Sequence, residues 1–85
     1  MTEELSNYKV NDRESFVKFI QSLKDDFIAN PGEWENRNLK IFLEALSSYA
    51  EDIQGYYDNT NQKVDADAPS WQIFADIFKG ATMYE

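Results

Sequence analysis

Apolar side chains recur at spacings of three and four in three separate stretches of the chain, and strand-like alternation is absent. In the first stretch Phe16, Phe19, Ile20, Leu23 and Phe27 fall on one face of a helix, with Lys18, Lys24 and Asp25 off it. Asp12 stands where an N-cap belongs, and Glu14 lies in the first turn, where a negative charge meets the helix dipole favourably. Asn30-Pro31-Gly32 ends this helix, because a residue before proline avoids the α region and glycine permits a turn. The second stretch runs through Leu39, Phe42, Leu43, Leu46, Tyr49 or Ala50, and Ile53, with Asn38 as its cap. Gly55 is read as its stop or bend, followed by a short helical turn at Gly55–Asp58. The third places Ile73, Phe74, Ile77, Phe78 and Ala81 on a broad apolar face behind Ser70, a good N-cap. Gly80 weakens that helix near its end by about 1 kcal/mol relative to alanine.

The pattern predicts an all-α protein: a bundle of three main helices in a single domain spanning residues 1–85. Residues 1–11 read as a loose lead-in, with Leu5, Tyr8 and Val10 available to pack at a helix end. Residues 58–68 are polar and acidic without periodicity and read as a connector. With 85 residues there is room for one small core, and six Phe, five Tyr and two Trp supply much apolar area per residue. Trp34 and Trp71 each flank a turn and are placed as lids over the bundle ends, with an interface role as the alternative.

Charge adds direction. The 16 acids outnumber eight bases, for a net −8. Residues 1–43 carry eight acids and six bases, whereas residues 44–85 carry eight acids and only Lys63 and Lys79. A field of this sign repels nucleic acid and anionic membrane surfaces and favours a basic protein partner. No apolar run approaches the ~20 residues that a membrane span needs, and the first ten residues lack the pattern of a signal peptide. The absence of cysteine suits a reducing cytoplasm, which is the expected location.

Candidate chemistry is sparse. Without cysteine or histidine there are no thiol nucleophiles, imidazole bases or Cys/His zinc sites. Asp25-Asp26, Glu51-Asp52 and Asp65-Ala66-Asp67 are carboxylate pairs in polar contexts, and they read as solvated surface rather than as an acid–base pair. A calcium loop counted from Asp58 has Lys63 at its sixth place and Pro69 at its twelfth, where glycine and glutamate are required. The serines have no histidine to activate them, and the three glycines form no phosphate loop. The expectation is a non-enzyme without cofactor or metal. Tyr56 and Tyr57 stand out, because two adjacent large rings on a turn cannot both enter a small core. With Glu51, Asp52 and Asp58 around them, they are the candidate contact residues for a basic protein. A structural or self-associating small helical domain is the alternative, and the expected state is a monomer or weak homodimer.

Two resemblances bear on this. Phe16, Val17 and Phe19, then Trp34-Glu35-Asn36, then Pro69-Ser70-Trp71 with Phe74-Ala75-Asp76, and the closing Tyr84-Glu85 resemble a small bacterial family known only as a domain of unknown function. The likeness covers nearly the whole chain and implies no activity. In length, acidity and helical layout the chain is also similar to colicin-type nuclease immunity proteins. In that family a Tyr-Tyr pair on a short third helix and an acidic second helix grip a basic nuclease. Tyr56 and Tyr57 match that pair, and Glu44, Glu51 and Asp52 lie at the corresponding acidic helix end. The pair is followed by Asp58 rather than proline, and the family's His-Pro and its basic Trp-Arg end are missing.

Overall fold

A computed structural model describes residues 1–84. Four helices form: α1 (Glu3–Ser6), α2 (Arg13–Ala29), α3 (Leu39–Asn59) and α4 (Trp71–Ala81), with a 3-10 turn at Pro31–Glu33. The protein is an all-α bundle, and no strand occurs among the described residues.

The three main helices begin at the caps expected of them. Asp12 accepts from the Ser15 amide at 2.7 Å while Ser15 Oγ accepts from the Asp12 amide at 3.1 Å, which satisfies two otherwise orphan donors. Those bonds hold the Asp12 carboxyl below its ordinary range. Asn38 Oδ1 accepts from the Ile41 amide at 2.9 Å, and Ser70 Oγ from the Ile73 amide at 3.1 Å.

Two expectations fail at helix ends. Gly55 neither stops nor bends α3, which runs on through Tyr56 and Tyr57 to Asn59, so no separate short turn exists at Gly55–Asp58. Ile53 and Tyr57 flank Gly55 and are both buried against α4, and this packing outweighs the ~1 kcal/mol that a mid-helix glycine costs. The stop comes at Asn61, which takes the left-handed conformation with φ 58°. The Gln62 amide then donates to the Tyr57 carbonyl at 2.9 Å and the Asn61 amide to that of Asp58 at 3.2 Å, a complete Schellman closure. Nor is the lead-in loose. Residues 3–6 form α1, capped by Thr2, and Leu5 and Val10 are fully buried. The Val10 amide donates to Gln72 Oε1 at 2.7 Å, and Lys79 Nζ donates to the Ser6 and Tyr8 carbonyls at 3.1 and 3.0 Å. Burial pulls the Lys79 ammonium below the usual lysine range, against an opposing pull from Asp76.

The core has two parts. One gathers Leu5, Val10, Phe19, Leu23, Trp34 and Ala75; the other gathers Ile53, Tyr57 and Ile73. Trp34 is a lid as expected: its indole N–H donates to buried Asp26 Oδ2 at 2.8 Å, and its ring stacks on Phe42 at 5.9 Å. Trp71 instead lies half open, 5.4 Å from Phe16. The connector is laced to α3 by Gln54, whose amide donates to the Val64 carbonyl and accepts from the Ala66 amide, both at 2.8 Å.

Helix α4 organises the bundle. The backbones of α2 and α3 each pack on α4 but do not approach one another closely. The α3–α4 crossing is tight at Gly80, where the Tyr49 ring occupies the space that a Cβ would need. Gly80 is therefore a packing requirement rather than a weakness of the helix. Alanine is worth about 1 kcal/mol more in a helix, but forcing it against Tyr49 costs about 1–3 kcal/mol. Gly80→Ala should lower the unfolding midpoint in urea. In a Tyr49→Ala background the same change should become stabilising, and a double-mutant cycle without that reversal of sign would contradict the contact.

Candidate functional site

Because α2 and α3 both lean on α4, the space between them stays open. It holds a groove of two chambers, about 370 and 480 Å³, with Phe78 lining both. In the first chamber Ile20 and Phe27 of α2 face Leu39 and Phe42 of α3, and Trp34 and Arg37 close the end. In the second, Phe16 faces Leu43, Leu46 and Ala50 over Phe74 and Ile77. The lining is almost wholly apolar. Leu39 remains 72% exposed, Leu43 50% and Phe74 40%. Side chains of this kind grouped in one concavity mark a contact surface more often than chance exposure does. Among the described residues, the only charged ones lining the groove are Lys24 and Arg37, and no carboxylate lines either chamber.

The five residues singled out in the sequence all lie on the C-terminal half of α3, but they do not form one patch. Tyr57 is 1% exposed and belongs to the core, whereas Tyr56 is 46% exposed. The reason is helical phase. Once α3 continues through Gly55, neighbouring residues point 100° apart, so one ring turns in and the other out. Asp52 and Tyr56, four apart, share one flank, and Glu51 and Asp58, seven apart, share another. Asp52 accepts from the Tyr84 hydroxyl, and Asp58 Oδ1 accepts from Gln54 Nε2 at 3.0 Å. Glu51, Asp52 and Asp58 are all solvent-exposed.

Below them lies the polar centre of the α3–α4 interface. Tyr57 Oη donates to Asp76 Oδ2 at 2.7 Å, Gln72 Nε2 donates to Asp76 Oδ1 at 2.9 Å, and Lys79 Nζ stands 3.8 Å from Oδ1. Both carboxylate oxygens are occupied, so Asp76 acts as a latch between helices. Burial raises the Tyr57 hydroxyl far above the ordinary phenol range, reinforced by its bond to Asp76. Burial also pushes Tyr49 up to about 12, with Tyr56, Asp76 and Tyr84 adding to the effect. No group of three or more Asp or Glu side chains placed to hold a metal ion occurs among the described residues. Among the described residues, no helix is long and apolar enough to cross a membrane.

The groove has no sequence motif, because the residues that line it carry no reactive groups. One signal was present: the apolar stripe of α3 includes Leu39, Leu43 and Ala50 beside Phe42, Leu46 and Ile53, an arc wider than α4 alone can cover.

Fold and surface together define a small helical domain whose most developed feature is an apolar groove rather than a cluster of reactive groups. The chain belongs to a family of unknown function (DUF7660), whose pattern matches residues 12–85 and so begins at the N-cap of α2. No curated protein and no solved structure matches it.

The buried phenols give the fold a definite alkaline limit. An unfolded tyrosine ionises near 10.0, whereas Tyr49 holds its proton to about 12 and Tyr57 holds its proton well above the ordinary range. Above pH 10 the unfolded state therefore binds fewer protons than the folded one, and stability must fall as pH rises. Urea midpoints should be flat in this respect below pH 9 and decline from pH 10 towards 12. Tyr57→Phe should flatten the decline, and an unchanged slope in that variant would contradict the assignment.

Proposed function

We propose that this chain is a non-catalytic protein-binding domain and that the groove between α2 and α3 is its contact surface. One observation carries the reading: Leu39, Leu43 and Phe74 stay open to solvent and line the apolar chambers, whereas other exposed apolar side chains such as Val17, Ile28 and Ile41 line neither. The groove favours a helical occupant. It offers apolar side chains and no strand edge, so an extended segment would bury backbone donors and acceptors without partners. A helix satisfies its own backbone and lays an apolar stripe between α2 and α3, completing a four-helix arrangement over α4. Between Leu39 and Ala50 the α3 wall is roughly 16 Å long at 1.5 Å per residue, which is room for about three turns.

A second reading is favoured by Tyr56. Its half-exposed ring stands on α3 one turn from Asp52, on a chain of net charge −8. An exposed aromatic beside acids suits a basic protein surface, as an inhibitor of the immunity type would need. Tyr57 contributes to this only by holding α3 against α4.

Site-specific photo-crosslinking in the native host separates these readings. A benzophenone amino acid at Leu43 should yield a discrete adduct with one protein, and the same group at Glu4 on α1 should not. Leu39→Asp should abolish the Leu43 adduct while leaving the fold intact by circular dichroism, because Leu39 is open to solvent. Adducts from Tyr56 alone would transfer the function to the acidic flank. Adducts from neither position would contradict a protein-binding role.

A further inference from the structure

The charge lining the groove identifies the kind of helix that fits it, resting on the reading of the groove as a docking surface. In a chain with twice as many acids as bases, the charged side chains lining the two chambers are both cations. They stand at the same end. Lys24 on α2 and Arg37 just before α3 line the first chamber mostly through aliphatic atoms, so their charged ends lie outside its apolar wall. Arg37 is also held in place: its Nε donates to the Trp34 carbonyl at 2.9 Å. That bond uses the inner N–H and leaves the two terminal nitrogens of the fork directed elsewhere, a geometry suited to a carboxylate. Lys24 Nζ lies 3.7 Å from Asp25, an exposed pair that competes little with a partner carboxylate. Asn38 also lines this end; its Oδ1 is committed to the α3 cap, so its amide nitrogen remains as a donor. Among the described residues, no charged one lines the other chamber.

We infer that the groove takes an amphipathic helix of a partner protein that carries an acidic residue at one end of its apolar stripe, and that Lys24 and Arg37 fix its direction. The apolar stripe supplies most of the affinity, since its residues are fully desolvated on docking. The carboxylate supplies orientation, because a reversed helix would leave the cations facing an apolar end and place its acid over Phe74 and Ile77. A partner helix with lysine or arginine at that end would meet like charge.

The experiment is a display selection against the full 85-residue protein. The library consists of helix-forming 18-residue peptides with a fixed apolar stripe and with Asp, Glu, Lys, Arg and Ser varied at both ends. Selected peptides should carry Asp or Glu at one end only. They should shift the NMR signals of Leu39, Leu43 and Phe78, and should lose roughly tenfold in affinity, the equivalent of one charge-assisted contact, against Lys24→Glu or Arg37→Glu. Peptides with that acid changed to lysine should recover binding to the charge-reversed variants. Lys24 is exposed on the surface of α2, so Lys24→Glu keeps the test open if Arg37→Glu disturbs the Trp34 turn. Peptides that bind the groove without acidic bias, and indifferently to charge reversal, would overturn this inference and leave the groove reading intact. Failure to select any peptide, or shifts confined to other surfaces, would overturn both. Concentration-dependent dimerisation that perturbs the same signals would overturn the inference by showing a second copy in the groove.

Discussion

The structure depends on a short apolar helix being shared. Helix α4 has 11 residues, roughly 16 Å of length, and apolar groups over more than half of its circumference: Trp71, Ile73, Phe74, Ala75, Ile77, Phe78 and Ala81. Such a helix must be covered from more than one direction. Helix α3 covers one side, held close by the Tyr49–Gly80 contact and by the bond from Tyr57 to Asp76. Helix α2 covers another through Phe16 and Phe19, with α1 and Val10 closing behind it. Two helices seated on different sides of so short a third one cannot also seat on each other along their length. The groove follows from that geometry.

How much of this was legible in the sequence varied with the range of the interaction. Caps are local, and Asp12, Asn38 and Ser70 each identified a helix start from its own chemistry. The ends were harder. Gly55 has the residue type of a stop, yet Ile53 and Tyr57 bind the helix on both sides of it to α4, a contact made with residues some 20 positions away. Asn61 closes the helix with a residue type less often read as a stop than glycine. The lead-in looked loose because its order comes from Gln72 and Lys79, at the far end of the chain.

The candidate contact residues show the same limit. That Tyr56 and Tyr57 could not both be buried followed from sequence; which one stays out did not, because the answer depends on the phase of a helix running through Gly55. The acids cluster in sequence but spread over two flanks of α3. The groove is a relation between two helices that never pair, so neither helix records it alone. Only the excess width of the α3 stripe pointed to it.

The folded protein leaves the space between α2 and α3 open to solvent over α4. Methyl and aromatic proton relaxation by a soluble, neutral gadolinium chelate tests it most directly, at protein concentrations low enough to keep molecules apart. Leu39, Leu43 and Phe74 should relax as strongly as surface residues, while Phe19, Ile53 and Ile73 remain protected. Protection of Leu39 and Leu43 at the level of Ile53 would mean that α2 and α3 close on each other, and would contradict it.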